Sequence, residues 1–356
     1  QIGLGPDSSS RGPTRIGGTL RISMPTVSHG TSRMRPHTLT TAKPLIPVAG
    51  MPIVQRLVLD IVKVCGAPVT EIAYIIGTDF GPEVEHHLIQ IAEAEGAQGR
   101  LYYQEEALGT AHAIWCARES LQGNVVVAFA DTLFKADFTM NATEDGVIWV
   151  HEIEDPSQFG VVTLNSKGHI VEFIEKPATP VSNLAIIGIY YFKDGQRLYH
   201  AIEHLITHNI KEKGEFQLTN ALSDLQKQGL AFVPGKVSEW LDCGNKTATL
   251  NTNRRVLDYD AGSSRLISKQ AHIINSVVLP PCFIGDGARI ENAIIGPHVS
   301  VGASSRIENA IVQNSIIQKN AELSQVIIKH SIVGNHAKIK GFSSEVNCSD
   351  YSEQSI

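Results

Sequence analysis

Hydrophobic residues follow two different patterns along this chain. From about residue 20 to 250, short apolar runs alternate with amphipathic stretches. Leu20-Arg21-Ile22-Ser23-Met24 is the first plausible strand. Ile53, Leu57, Ile61 and Val64 recur at helical spacing and predict a helix over 53–64. Ile72 to Ile76 is a continuous apolar run ended by Gly77, as in a buried strand. A second helix is predicted from Pro82 to Glu95, with proline in its first turn and Gly96 just past its end. Leu101-Tyr102-Tyr103 predicts a short strand, Thr110 to Leu121 a third helix, and Val125 to Phe129 another buried strand that runs out at Asp131. Buried strands alternating with helices predict an α/β fold with an open, mostly parallel sheet. Ligands of such sheets bind beyond the carboxyl ends of the strands, which is where Asp131 falls.

After about residue 265 the period changes. Ile284, Ile290, Ile295, Val301, Ile307, Val312, Ile317, Leu323, Ile328, Val333 and Ile339 recur every five or six residues, with glycine following at 285, 296, 302 and 334. That step fits neither a helix nor an ordinary alternating strand. It predicts a parallel β-helix of hexapeptide repeats, each apolar residue pointing into a three-sided prism, with about four coils. The chain therefore divides into a catalytic-type domain over 20–260, a β-helix over 265–342 and a tail over 343–356. Residues 1–19, rich in Gly, Ser, Pro and Arg without apolar period, read as a disordered leader.

Composition narrows the function classes. The 356 residues carry a formal net charge of −6, with no basic footprint for nucleic acid and no polybasic membrane motif. No apolar run approaches the roughly 18 residues of a membrane span. The five cysteines are scattered without CxxC spacing, which predicts unpaired thiols in a reducing cytoplasm rather than a zinc site or a disulfide framework.

Two acidic residues stand just after apolar strand-like runs: Asp131 in Phe129-Ala130-Asp131 and Asp242 in Trp240-Leu241-Asp242. Carboxylates delivered from two distant strands can hold Mg²⁺, which takes one or two carboxylates, water and substrate phosphates. Upstream, Gly30-Thr31-Ser32-Arg33 follows the first strand and Lys43-Pro44 comes soon after. Small and hydroxyl residues let backbone N–H groups approach phosphate, and Arg33 and Lys43 can neutralise a leaving pyrophosphate.

These segments, with Gly50-x-Pro52-Ile53, Gln104, Leu108-Gly109-Thr110-Ala111, Phe159-Gly160-Val161-Val162, Glu175-Lys176-Pro177 and Trp240-Leu241-Asp242-x-Gly244, occur in an order that resembles the sugar-1-phosphate nucleotidyltransferases. The nearest group is the glucose-1-phosphate thymidylyltransferases and uridylyltransferases in their long form. The resemblance runs from about Leu20 to Ile339 and implies that the C-terminal β-helix is left-handed. It further implies Mg²⁺ held by Asp131 and Asp242, and a nucleoside triphosphate (dTTP or UTP) and a sugar 1-phosphate (glucose 1-phosphate foremost) as substrates. Gly30, Thr31, Ser32, Gln104 and Gly109 would bind the nucleotide. The Gln104 amide can both donate and accept, which suits the imide edge of uracil or thymine. Gly109 opens a helix whose N–H groups can meet ligand atoms. Gly160, Glu175, Asn183 and Tyr190 would line the sugar site, and Lys176 would pair with the attacking phosphate. Open solenoid ends further predict a homo-oligomer.

Two features keep other readings open. The family's paired glycines after the first strand are reduced to one, with His29 standing near the lost position. This favours a non-catalytic nucleotide-sugar-binding regulator as an alternative. The β-helix raises a hexapeptide acyltransferase as another, with His298, His330 and His336 as candidate bases.

Overall fold

The computed structural model describes residues 20–26, 34–37, 42–136, 144–341 and 346–355. The chain opens with β1 (Leu20–Pro25), a 3-10 turn over Lys43–Leu45 and the small hairpin of β2 (Pro47–Val48) and β3 (Met51–Pro52). Then come α1 (Ile53–Cys65), β4 (Val69–Ile76), α2 (Pro82–Ala94), β5 (Gln98–Tyr103), α3 (Thr110–Cys116) and β6 (Asn124–Ala128). The helix expected over 110–121 stops at Cys116, because Ser120 and Leu121 bond three residues back to Ala117 and Arg118 and tighten into a 3-10 turn. The rest of the domain is β7 (Thr132–Lys135), β8 (Gly146–Glu152), β9 (Gly160–Leu164), β10 (Ile170–Glu175), β11 (Leu184–Phe192), α4 (Gly195–Thr207), α5 (Leu218–Lys227), β12 (Phe232–Lys236), β13 (Glu239–Asp242) and α6 (Lys246–Tyr259).

The main sheet runs β10-β9-β11-β6-β1-β4-β5, with β8 also pairing β11 and β12 pairing β8. Strands β6, β1, β4 and β5 are mutually parallel, whereas β11 runs antiparallel to β6. The parallel half is buried on both sides: Ile22, Tyr74 and Val126 face one layer, and Ala73, Ile75 and Val127 the other, all fully buried. One further pair stands apart from this sheet: β13 lies antiparallel to β7, with Asp242 opposite Thr132.

The C-terminal region is three sheets of short parallel strands, wound so that strands starting at His272, Arg289, Arg306, Glu322 and Lys338 stack in register. Residues 347–355, expected as a tail, extend the stack: Asn347–Cys348 pairs with Ile332–Val333 and Glu353–Ser355 with Lys338–Lys340. The solenoid is accordingly longer than the four coils expected. Its corners explain many polar residues between the repeats. Asn275, Asn292, Asn309 and Gln325 stack at one corner with positive φ, and Ser304, Asn320, His336 and Tyr351 at another. Such left-handed backbone tolerates Asn better than β-branched residues. His298 and His330 occupy a third corner in the same conformation.

The two regions share a core. Ile316 and Ile332 of the solenoid are fully buried in the same cluster as Ile53, Leu57 and Leu250. The Phe283 ring occupies the space a Cβ on Gly50 (φ +82°) would need, so only glycine fits there. Asn253 on α6 is fully buried, and its Oδ1 accepts from Ala49 N (2.9 Å) and Ser300 Oγ (2.7 Å). Buried His37 donates from Nε2 to Asn347 Oδ1 at 2.7 Å, and Ser349 Oγ donates to Pro36 O at 3.1 Å. Among the described residues no helix is long and apolar enough to cross a membrane, and all five cysteines are unpaired.

Candidate active site

The ends of β6 and β13 meet. Asp131 lies in the turn from β6 into β7, and its carbonyl accepts from Cys243 N at 2.9 Å. Asp242 closes β13 opposite Thr132, so the two acidic residues leave neighbouring positions at the mouth of the β7–β13 pair. Lys43 Nζ reaches Asp131 Oδ2 at 2.8 Å. Asp242 Oδ1 accepts from Gly244 N at 2.9 Å. A Cβ on Gly244 would lie 3.0 Å from that same oxygen, so a larger residue there would have to push the carboxylate aside by a few tenths of an ångström. Thr252 Oγ1 holds the Asp242 carbonyl at 2.7 Å, and Trp240 Nε1 donates to Thr132 Oγ1 at 2.7 Å. The buried Cys243 thiol feels the cluster. Burial pushes its pKa up, Asp242 and Asp131 push it further, and Lys43 pulls it back.

The arrangement suits Mg²⁺ by its donor set: two carboxylates carried by adjoining positions of the β7–β13 pair, all-oxygen, with Asp131 about half exposed. Among the described residues no group of three or more His, Cys, Asp or Glu side chains is placed to hold a metal alone. Substrate oxygens would have to complete the shell.

A second group stands on β9 and β10. Gly160 pairs with Glu175 across the ladder, and a Cβ on Gly160 would sit 3.3 Å from Glu175 Oε2. Burial raises the Glu175 pKa, and the neighbouring Lys176, the Thr219 hydroxyl (3.4 Å) and Lys213 counteract part of the rise. Lys176 is half exposed, with φ +43°, rare for a residue bearing a Cβ; its Nζ lies 3.8 Å from Glu175 Oε1. Lys213 Nζ donates to both carbonyls of this pair, Glu175 O at 3.2 Å and Lys176 O at 3.0 Å. The Phe159 ring meets Trp240 edge-on at 4.8 Å, and Phe159 O accepts from Lys176 N at 3.2 Å, linking this group to β13.

A third group lies beyond β4 and β5. Gln104 is buried, with N bonded to Ile76 O at 2.9 Å. Its Nε2 donates to Gly109 O (3.3 Å) and to His112 Nδ1 (3.0 Å). Gly109 has φ +115°, and a Cβ there would lie 2.7 Å from Phe216 N. The carbonyl of Phe216 takes the Ala111 N–H at 2.9 Å, so part of the α3 entrance is capped by the protein itself.

Tyr190 sits in the core, 6 % exposed, its ring against Phe129 and Phe192. Burial, helped by Glu175, raises its pKa. Asn183 is exposed at the start of β11, its carbonyl accepting from Ile153 N at 3.0 Å. Gly30, Thr31, Ser32 and Arg33, with His29, lie outside the described residues. Lys213 and His112 were not expected from sequence. The first had a weak signal, a Lys-Gly turn between Glu212 and Glu215 just before α5, with positive φ at both residues. The second had none, because the Gln104–His112 bond depends on the turn into α3.

Residues 29–259 match the family model described as nucleotidyl transferase, and residues 264–351 the one described as GlmU-like, C-terminal hexapeptide. The low-salt glycan biosynthesis nucleotidyltransferase Agl11 of Haloferax volcanii is 32 % identical over 241 residues, 65 % of this chain and 65 % of that protein. The bifunctional protein GlmU of Methanococcus aeolicus is 29 % identical over 64 % of this chain and 52 % of its own length. The chain thus spans between half and two thirds of these two relatives. A glucose-1-phosphate thymidylyltransferase of Streptomyces griseus is 28 % identical over 337 residues, 86 % of this chain and 90 % of that one. A solved structure of a Bacillus anthracis protein superposes with a TM-score of 0.56 at 23 % identity, covering 66 % of this chain and 94 % of that one, and shows the shared fold. The chain belongs to the nucleotidyl transferase family and carries a GlmU-like hexapeptide domain behind its catalytic-type domain.

Proposed function

We propose that this chain transfers a nucleotidyl group from dTTP or UTP to a sugar 1-phosphate, foremost glucose 1-phosphate, releasing pyrophosphate. A phosphate oxygen of the sugar attacks the α-phosphorus, the α–β phosphoanhydride bond breaks, and pyrophosphate leaves. No protein nucleophile is needed, so catalysis rests on positioning and charge stabilisation. The observation that carries the reading is the meeting of Lys43, Asp131 and Asp242 at the ends of β6 and β13, with the Glu175–Lys176 pair linked to the same strand through Phe159 and Trp240. Mg²⁺ held by Asp131 and Asp242 would neutralise charge on the nucleotide phosphates. Lys43 and Arg33 stabilise the departing pyrophosphate. Lys176 receives the sugar phosphate, Glu175 accepts from sugar hydroxyls, and Gly160 keeps that wall open. Asn183 and Tyr190 support the sugar wall from its rim and from behind. Gly30, Thr31, Ser32, Gln104 and Gly109 hold the nucleotide.

The solenoid serves assembly, with a homo-oligomer as the working form and left-handed winding as in the family's long members. Acyl transfer is disfavoured: His298 bonds Asp258 Oδ1 (2.7 Å), His330 bonds Asn314 (2.8 Å), and His336 stacks on Tyr351. Unpaired thiols support a cytoplasmic location. The deciding experiment is pyrophosphate release from a panel of hexose and hexosamine 1-phosphates with ATP, GTP, CTP, UTP and dTTP. Release with UTP or dTTP and glucose 1-phosphate is expected. Nucleotide-sugar binding without release would favour the regulator, and acyl-CoA consumption the acyltransferase. Light scattering at micromolar concentration should find an oligomer.

A further inference from the structure

Two residues near the end of the chain hold a turn near its start. Residues 34–37 stand between Gly30–Arg33 and Lys43, the two stretches read above as meeting the nucleotide phosphates. His37 Nε2 lies 2.7 Å from Asn347 Oδ1, and Ser349 Oγ donates to Pro36 O at 3.1 Å. Both partners belong to the last coil of the solenoid. An amide oxygen cannot donate, so His37 carries its proton on Nε2. Nδ1 is buried and meets no hydrogen-bond partner among the described residues, so a second proton there would be stranded. Burial holds the His37 pKa down; the Asn347 bond and Asp350 oppose this, and Lys246 adds to it. A neutral ring has one proton to donate, and Asn347 receives it.

The place of Asn347 is itself fixed from below. It pairs in register with Ile332 of the preceding coil, and Ile332 is fully buried in the core shared with Ile53 and Leu250. Asp350 Oδ1 accepts from Asn335 N at 2.6 Å, and Asn335 Oδ1 accepts from Lys319 N at 3.1 Å. The turn after Asn347 is thus tied to the two coils beneath it. On the other side of the 34–37 turn, Met34 is buried against α6, with Thr249 Oγ1 3.5 Å from its sulfur.

Resting on the reading of Gly30–Arg33 and Lys43 as phosphate-binding, we propose that Asn347 is a positioning residue for the nucleotide, fixing the 34–37 turn from the last coil of the solenoid. The hexapeptide region then completes the site of the catalytic-type domain, besides any part in assembly. A turn held at Pro36 and His37 presents its flanking backbone to phosphate already ordered. Without those bonds the nucleotide must order the segment as it binds, which weakens its affinity. The sugar wall on β9 and β10 makes no contact with this turn among the described residues, so binding of sugar phosphate is spared.

The test is two-substrate kinetics of pyrophosphate release, with UTP or dTTP and glucose 1-phosphate, on the full chain and on Asn347→Ala, Asn347→Asp and Glu353→Ala. Asn347→Ala should raise the Michaelis constant for nucleotide about five- to tenfold, the scale for one buried hydrogen bond, and leave that for sugar phosphate within about twofold. Asn347→Asp keeps an oxygen acceptor for Nε2–H and should restore the nucleotide constant. Glu353→Ala, an exposed change in the same coil, should alter neither constant. An unchanged nucleotide constant in Asn347→Ala, an equal rise in both constants, or no rescue by Asn347→Asp overturns the inference. Should Asn347→Ala fail to fold, Ser349→Ala decides: a rise of about threefold in the nucleotide constant is expected, and no rise overturns it. An active wild type matched by its Asn347 variants leaves the proposed function standing and removes only this role. A wild type that binds nucleotide but releases no pyrophosphate sinks the proposed function alone, and calorimetric dissociation constants for UTP and dTTP on the same variants then decide the inference. A wild type that binds no nucleotide overturns both.

Discussion

Lys43 and Asp131 form a short ion pair, Nζ to Oδ2 at 2.8 Å, in which the lysine side chain is 11 % exposed and the aspartate 48 %. The ammonium is held from the protein side while the carboxylate keeps an open face toward solvent. A phosphate entering there meets a cation already fixed in place and a carboxylate available for a metal. Such prepositioned charge needs no rearrangement during reaction.

Asp131→Asn and Asp242→Asn should each lower turnover by about 10²-fold or more, the scale on which removal of one preorganised electrostatic group acts. The fold should survive, because Asp131 contributes its backbone to Cys243 and Asp242 its backbone to Thr252, and neither depends on the carboxylate charge. Pyrophosphate release and thermal melts check both halves. Near-normal rates at saturating Mg²⁺ in either variant would sink the two-carboxylate assignment.

Lys176 keeps a backbone conformation that glycine adopts more readily. Lys176→Gly is expected to gain about 1 kcal/mol of stability by relieving that strain. It should also raise the Michaelis constant for sugar phosphate far more than that for nucleotide. Lys213→Ala, which frees the two carbonyls, should raise the same constant more modestly while changing stability little. Denaturant midpoints with two-substrate kinetics test this. A Lys176→Gly variant that is no more stable, or affects only the nucleotide constant, contradicts it.

Asn253 joins the two regions through one oxygen. Asn253→Ala leaves a buried N–H at Ala49 and a buried hydroxyl at Ser300 without their acceptor, at a cost of about 2–4 kcal/mol. The loss should appear in urea unfolding and as faster proteolysis between 260 and 270. A neutral result would mean that water or backbone shifts satisfy both donors.

Burial raises the Asp60 pKa to about 6, against partial relief from Arg56 and Lys63. The folded state therefore binds this proton more tightly than the unfolded chain, whose aspartate titrates near pH 4. Stability should fall as pH rises from about 4 to about 6 and stay lowered above that. Asp60→Asn removes the penalty. It should stabilise at neutral pH by on the order of 2 kcal/mol and have little effect near pH 4. Melting curves of both proteins across that range decide it; a constant difference would place the effect elsewhere.

The elements of this protein and their two regimes were legible in the chain, because helical period, buried strands and a six-residue step are each local consequences of which side chains must leave water. The α1 and α2 positions, the strand ends at Asp131 and Asp242 and the stacked Ile and Val of the solenoid follow from that alone. What pairs with what does not. β7 and β13 are about a hundred residues apart, and only the packed fold sets Asp242 opposite Thr132 and brings Lys43 onto Asp131. Tertiary packing also put Tyr190 into the core, drew residues 347–355 into the solenoid, and placed Lys213 behind Glu175 and Lys176. The orientation of the Gln104 amide belongs with these. Gln104 Nε2 donates to the Gly109 carbonyl only because the turn into α3 brings that carbonyl beside it.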